Sequence, residues 1–207
     1  MKQSSLNRKA FISPILLFVV FCLVILPWAC KQDKGKEAEP VLQVETGTAE
    51  PADAFFTRLK SLCGKAFWGG FVHPQQPPLP FAGSELLLEG AECGEHEIRL
   101  VFHVGEDASR NWIISRQGDR LRLIHDHRRP EGGQAETNHY GGLTKVSGTY
   151  FRQDFPAEEA TVEKLPRAAG SVWSLSFKED GSVFSYILAK EGEILFHVDF
   201  NLKSPRQ

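Results

Sequence analysis

EIRLVFHVGEDASRNWIISRQGDRLRLIHDH, residues 97–127, decides the fold class. Ile98, Leu100, Phe102 and Val104 alternate with Arg99, Val101 and His103, the pattern of a strand with one buried face. Asn111 to Arg116 and Arg120 to His127 continue it, joined across Gln117-Gly118-Asp119, a turn too short for anything but antiparallel neighbours. Outward from this stretch, Ser171 to Phe177, Val183 to Leu188 and Ile194 to Leu202 read as three more strands. They are punctuated by Glu179-Asp180-Gly181 and Lys190-Glu191-Gly192 and form a meander. Short strands spaced this evenly predict an all-β, antiparallel up-and-down β-barrel or sandwich.

Before the strands, Asp53 offers an N-cap, Phe55, Leu59 and Leu62 recur at i, i+4 and i+7, and Gly64 supplies a stop. One short N-terminal helix is expected over 54–63. His73 to Pro80 (HPQQPPLP) is too rich in proline for a central strand and reads as a rigid loop. Residues 130–142 (PEGGQAETNHYGG) read as a second loop, glycine-rich and placed between strands.

The first thirty residues speak for export. Lys2, Arg8 and Lys9 precede the uninterrupted apolar run Ile15–Leu26, and no acidic residue occurs before Cys30. A basic start followed by an apolar core of about 7–15 residues is a secretory signal. An uncleaved anchor over Ala10–Ala29 is the alternative, since about 20 apolar residues span a bilayer. The polar stretch from Lys31 to Ala52 lacks apolar periodicity and reads as a flexible tether. The expected organisation is therefore a signal over 1–29, a tether over 30–52 and one β-barrel domain over 53–203. The whole chain carries 24 Lys+Arg against 26 Asp+Glu, a net charge of −2 that lacks the electrostatic footprint of a nucleic-acid binder.

Of the four cysteines, Cys22 falls in the signal and Cys30 closes it. Cys63 and Cys93 remain as a pair for a disulfide, which persists outside the reducing cytosol.

Phosphate-loop, nucleotide-fold, GxSxG, HExxH and EF-hand patterns are absent, so no cofactor is implied and the reading leans away from an enzyme. One constellation could carry chemistry. His125 and His127 share the inward face of Leu121 and Leu123, and His139 in the next loop could add a third nitrogen to a metal site. The bland alternative is a solvated or hydrogen-bonded strand end. Glu106, Asp107, Ser109 and Arg110 could hold a polar ligand or form a charged hairpin loop. Arg116, Arg120, Arg122, Arg128 and Arg129 could make a basic stripe for an anionic surface or simply keep an outer face wet. Trp112, Trp173, Phe177, Phe184, Phe196 and Phe200 fall on strands, as a packed core or as the wall of an apolar cavity; the interior of a small barrel favours the packed core.

The segment FFTRLKSLCGKAFWG (Phe55–Gly69) resembles the entry into calycin-type barrels, the class of lipocalins and fatty-acid-binding-like proteins. The segments LCGKAF, ECGEHEIRLVFHVGEDASRNWIISRQGDRLRLIHDHR and HYGG together resemble a group of uncharacterised bacterial secreted proteins and lipoproteins, over about three quarters of the chain. The segment through Ala29-Cys30 is similar to a bacterial lipoprotein signal, which implies lipidation at Cys30 after cleavage. These resemblances imply a calycin-like barrel facing the periplasm or the exterior, tied to a membrane by a lipid and carrying no known catalytic residue. The leading expectation is a non-catalytic module for a small apolar ligand or an envelope protein. The alternatives are an assembly lipoprotein with a solid core and a metal-dependent enzyme built on His125, His127 and His139.

Overall fold

The computed structural model describes residues 50–129, 133–145 and 148–206, all within one compact unit. The signal, Cys30 and most of the tether lie outside the described residues. Among those described, no helix is long and apolar enough to cross a membrane.

Among the described residues, ten strands build a single antiparallel sheet: β1 (Ala66–His73), β2 (Leu86–Cys93), β3 (Glu97–Val104), β4 (Asp107–Gln117), β5 (Arg120–His127), β6 (Tyr140–Leu143), β7 (Arg152–Pro156), β8 (Ser171–Phe177), β9 (Val183–Lys190) and β10 (Glu193–Arg206). Their order is β6-β5-β4-β3-β2-β1-β10-β9-β8-β7, so every neighbour is consecutive in the chain except β1 and β10. The sheet curls into a nearly closed up-and-down barrel. Its two edge strands, β6 and β7, meet through the bridge Gly142↔Ala157. A side chain at Gly142 would strike the Pro156 carbonyl, so glycine is what lets the two edges touch. Thr161, on the short helix α2 (Glu159–Lys164), covers the same seam: its hydroxyl donates to the Gly141 carbonyl and accepts from the Gly141 N–H, each at 2.8 Å.

The tight turns follow the sequence signals. Glu191 and Gly192 between β9 and β10 both take positive φ (52° and 88°), as a two-residue hairpin with right-handed strand twist requires. The inward face of β3 is Ile98, Leu100, Phe102 and Val104, all buried, as the alternation predicts.

The helix α1 (Pro51–Leu59), extended by a 3₁₀ turn at Lys60–Leu62, begins earlier than Asp53. Glu50 occupies the cap position and Asp53 sits in the first turn, where its carboxylate pairs with Arg116 at the end of β4. Phe55, Phe56, Leu59 and Leu62 have no meaningful exposure and plug one end of the barrel, Phe55 edge-on to Phe177 at 5.4 Å. Each such side chain contributes about 1.5–3 kcal/mol on burial. Cys63 and Cys93 form a disulfide just beyond the plug, with Cα atoms 6.1 Å apart. Beside it Gly64 N–H donates to the Gly90 carbonyl (2.8 Å), a backbone approach that a side chain at Gly90 would block against Leu62.

β1 starts within the Phe55–Gly69 segment that resembles a barrel entry, whereas β2 lies in a stretch for which the sequence predicted no strand. The strand β6 begins at Tyr140, inside the stretch read as a loop, and β10 continues past Leu202 to Arg206. The proline-rich stretch starts within β1, whose last residue is His73, and from Pro74 on it is free of strand and leads into a turn through Phe81.

Candidate functional site: the open end of the barrel

Opposite the α1 plug, the barrel interior is only partly filled. A cavity of about 170 Å³ is bordered by Phe81, Phe102, Arg110, Trp112, His125, His127, Tyr140, Tyr186, Leu188 and Phe196. The strand register explains how these residues meet. Trp112 on β4 lies opposite His125 on β5, and one step towards the rim Arg110 lies opposite His127. His125 in turn faces Tyr140 on β6. Tyr186 arrives from β9 and lays its ring flat on the Trp112 indole, centroids 4.2 Å apart and planes within 9°. Phe81 folds in from the proline-rich segment, edge-on to Phe71 (5.6 Å) and Phe196 (5.2 Å), and forms part of the mouth.

Aromatic residues therefore do both things the sequence left open. Phe177, Phe184 and Phe200 are packed core, while Trp112 and Phe196 border the cavity. Trp173 borders a second cavity of about 300 Å³, which shares Tyr140, Tyr186 and Leu188 with the first and adds Arg167 and Lys190.

Polar groups at the floor are matched pair by pair. His125, 2% exposed, has Nδ1 3.2 Å from the Tyr140 carbonyl and Nε2 2.9 Å from the Tyr186 hydroxyl, with its ring stacked on Tyr140 at 4.7 Å. Burial, reinforced by nearby His127, pushes its pKa down to about 3, so the imidazole is neutral. His127 is lowered too, by burial first and then by Arg110. Burial raises both tyrosines, Tyr186 well above its ordinary value, and both stay protonated at neutral pH. At the rim, Arg110 donates to Asp107 (2.6 Å) and lies 5.4 Å from the Phe81 ring. Burial works to raise the Asp107 pKa, but hydrogen bonds from Ser109 together with Arg110 outweigh it and hold the carboxyl below its ordinary range. The mouth thus presents an apolar aromatic wall, neutral hydroxyl and imidazole groups, and one compensated ion pair.

The metal-ligand set His125, His127 and His139 is not assembled. His125 and His127 do face inward together, but both nitrogens of His125 have protein partners. His139 lies on the other side of the strand, its Nε2 3.3 Å from Asp126 Oδ1. The cause is local: Asp126 alternates outward, is fully buried there, and draws Arg128 (Nε 2.7 Å), Asn138 (3.2 Å) and His139 onto the outer face of β5. Asn138 Oδ1 also accepts the backbone N–H of His127 at 2.7 Å, so the loop before β6 folds back outside the barrel. Among the described residues, no group of three or more His, Cys, Asp or Glu is placed to hold a metal ion.

The arginine stripe is largely neutralised: Arg116 pairs with Asp53, Arg122 with Glu158 and Arg128 with Asp126, leaving little net charge for an anionic surface. Ser109 spends its backbone N–H on Asp107 and has no imidazole partner. On the outer face of β9 and β10, Ser185, Asp199 and His197 cluster. The hydroxyl there donates to the carboxylate (2.6 Å) and not to the imidazole, so the serine lacks the imidazole base of a serine nucleophile.

Sequence reasoning missed Phe81, Tyr140, Tyr186 and Leu188. A signal existed for Tyr186, which alternates with Phe184 and Leu188 on the inward face of β9 and is one of only three tyrosines in the chain. No protein-family model matches this chain, and no curated protein matches it either.

Proposed function

We propose that this chain is a non-catalytic binding module of the bacterial cell envelope. It takes a small apolar or amphipathic molecule in the open end of its barrel and is held to a membrane by a lipid on Cys30. The observation that carries the binding reading is the cavity at the mouth. The buried side chains of α1 plug one end of the barrel, whereas the other keeps about 170 Å³ bordered by aromatic rings with a few convergent polar groups. That volume suits one ring or a short chain; an apolar cavity of about 150 Å³ in another protein takes benzene. Export and lipidation are supported by the basic start, the apolar run and Cys30.

The test is native mass spectrometry of the protein recovered from the periplasm or membrane fraction, beside the variant Leu188→Trp, which fills the cavity. The expected result is a reproducible added mass on the wild type that the variant lacks, and an intact mass showing cleavage before Cys30 with an acyl addition. A bare wild type that shows no thermal shift with small aromatic or acyl probes would overturn the binding reading. It would leave the solid-core assembly protein.

Exposed Leu79, Val72, Ile194 and Leu195 near the mouth favour a second reading, in which the same end docks an envelope protein. Cross-linking from this rim in intact cells, compared with cross-linking from Tyr150 near the plug, tests it.

A further inference from the structure

Proton bookkeeping at the floor of the mouth determines which half of a hydrogen bond it can offer. The Tyr140 carbonyl can only accept, so at 3.2 Å it takes the proton of His125 Nδ1–H. The buried imidazole is neutral and has no second proton, so Nε2 presents a lone pair and accepts from the Tyr186 hydroxyl at 2.9 Å. Tyr186 has one hydroxyl proton, and His125 holds it. What the Tyr186 oxygen retains for anything else is acceptor capacity alone.

Depth sorts the remaining groups. His125 and Trp112 are register partners at the floor, whereas Arg110 and His127 are partners one step outward, where Arg110 is already engaged by Asp107. A molecule that reaches the Tyr186 hydroxyl therefore meets an oxygen that can only accept.

Taking the mouth as a ligand site, as proposed above, we infer that it selects a single-ring aromatic molecule bearing a hydroxyl or another hydrogen-bond donor, seated with that donor on Tyr186 Oη. Toluene fits the same space but offers no donor to the spare lone pair of the Tyr186 oxygen. Benzaldehyde sets a second acceptor against it. The preference comes from three residues on three strands, β5, β6 and β9, and not from net charge.

The test uses the full chain, titrated with phenol, toluene and benzaldehyde and followed by ligand-detected NMR. Phenol should bind about fivefold more tightly than toluene, the fold-change of one neutral hydrogen bond, and benzaldehyde more weakly than toluene. Tyr186→Phe should abolish the preference, with phenol and toluene binding equally well to the variant. His125→Leu should release the Tyr186 proton towards the cavity and turn the order round in favour of benzaldehyde. If toluene binds but phenol is no tighter, or if the phenol preference survives Tyr186→Phe, the inference fails and the cavity reading stands. If none of the three probes binds, both fail.

Discussion

Replacing His125 with leucine should flatten the acid dependence of stability. The imidazole ordinarily titrates at 6.5, but inside the barrel burial lowers it to about 3. Because the folded value lies below the unfolded one, protons favour the unfolded chain. The stability tied to this group is complete above about pH 6.5 and is lost progressively as the pH falls towards about 3. At about 1.4 kcal/mol per pH unit, the loss is about 2 kcal/mol by pH 5 and about 4–5 kcal/mol by pH 3. His127 is shifted in the same direction and remains in the variant, so the comparison isolates His125. The variant starts lower at neutral pH, because the buried Tyr186 hydroxyl loses its acceptor at a cost of about 1–3 kcal/mol, but that offset does not titrate. Urea unfolding of both proteins at pH 7.5, 6 and 5 supplies the curves. The expected outcome is a wild type that loses about 2 kcal/mol more than His125→Leu between the ends of that range. Parallel curves would refute the argument, since they would mean that His125 is as easily protonated folded as unfolded.

Two further outcomes follow from the plugged end. Phe55→Ala removes a fully buried ring from α1 and should cost about 3–5 kcal/mol, seen as a lower urea midpoint with an unchanged slope. Reduction of Cys63–Cys93, 30 residues apart, should cost about 3–4 kcal/mol on the loop-entropy account, measured as the midpoint difference with and without reductant.

The strands of the central hairpins were legible because each has one wet and one buried face, so period two is written into Ile98–Val104 and Leu121–His127. The same logic correctly turned His125 and His127 inward. β2 was not legible: its LLL run gives way to Glu89 and Gly90, and that glycine answers to the backbone of Leu62 in the plug rather than to any local pattern. β6 and β7, at four and five residues, are too short to show a period at all. His139 was grouped with the wrong partners because sequence spacing does not reveal which side of β5 a returning loop takes; the buried Asp126 decides that. Phe81 and Tyr186 come to the mouth from remote strands and loops. Only the curl of the whole sheet brings them to His125.

The ladder between β1 and β10 has a consequence for how the barrel comes into being. Every other full ladder joins neighbours along the chain and can zip locally, at small entropic cost, as soon as its two strands exist. The one from Ala66↔Arg206 to His73↔His197 joins the first strand to the last. A nascent chain can therefore accumulate hairpins but cannot complete the cylinder until its final strand is available. That single closing step, rather than any hairpin, is where the folding rate should respond most sharply to changes in β1 or β10.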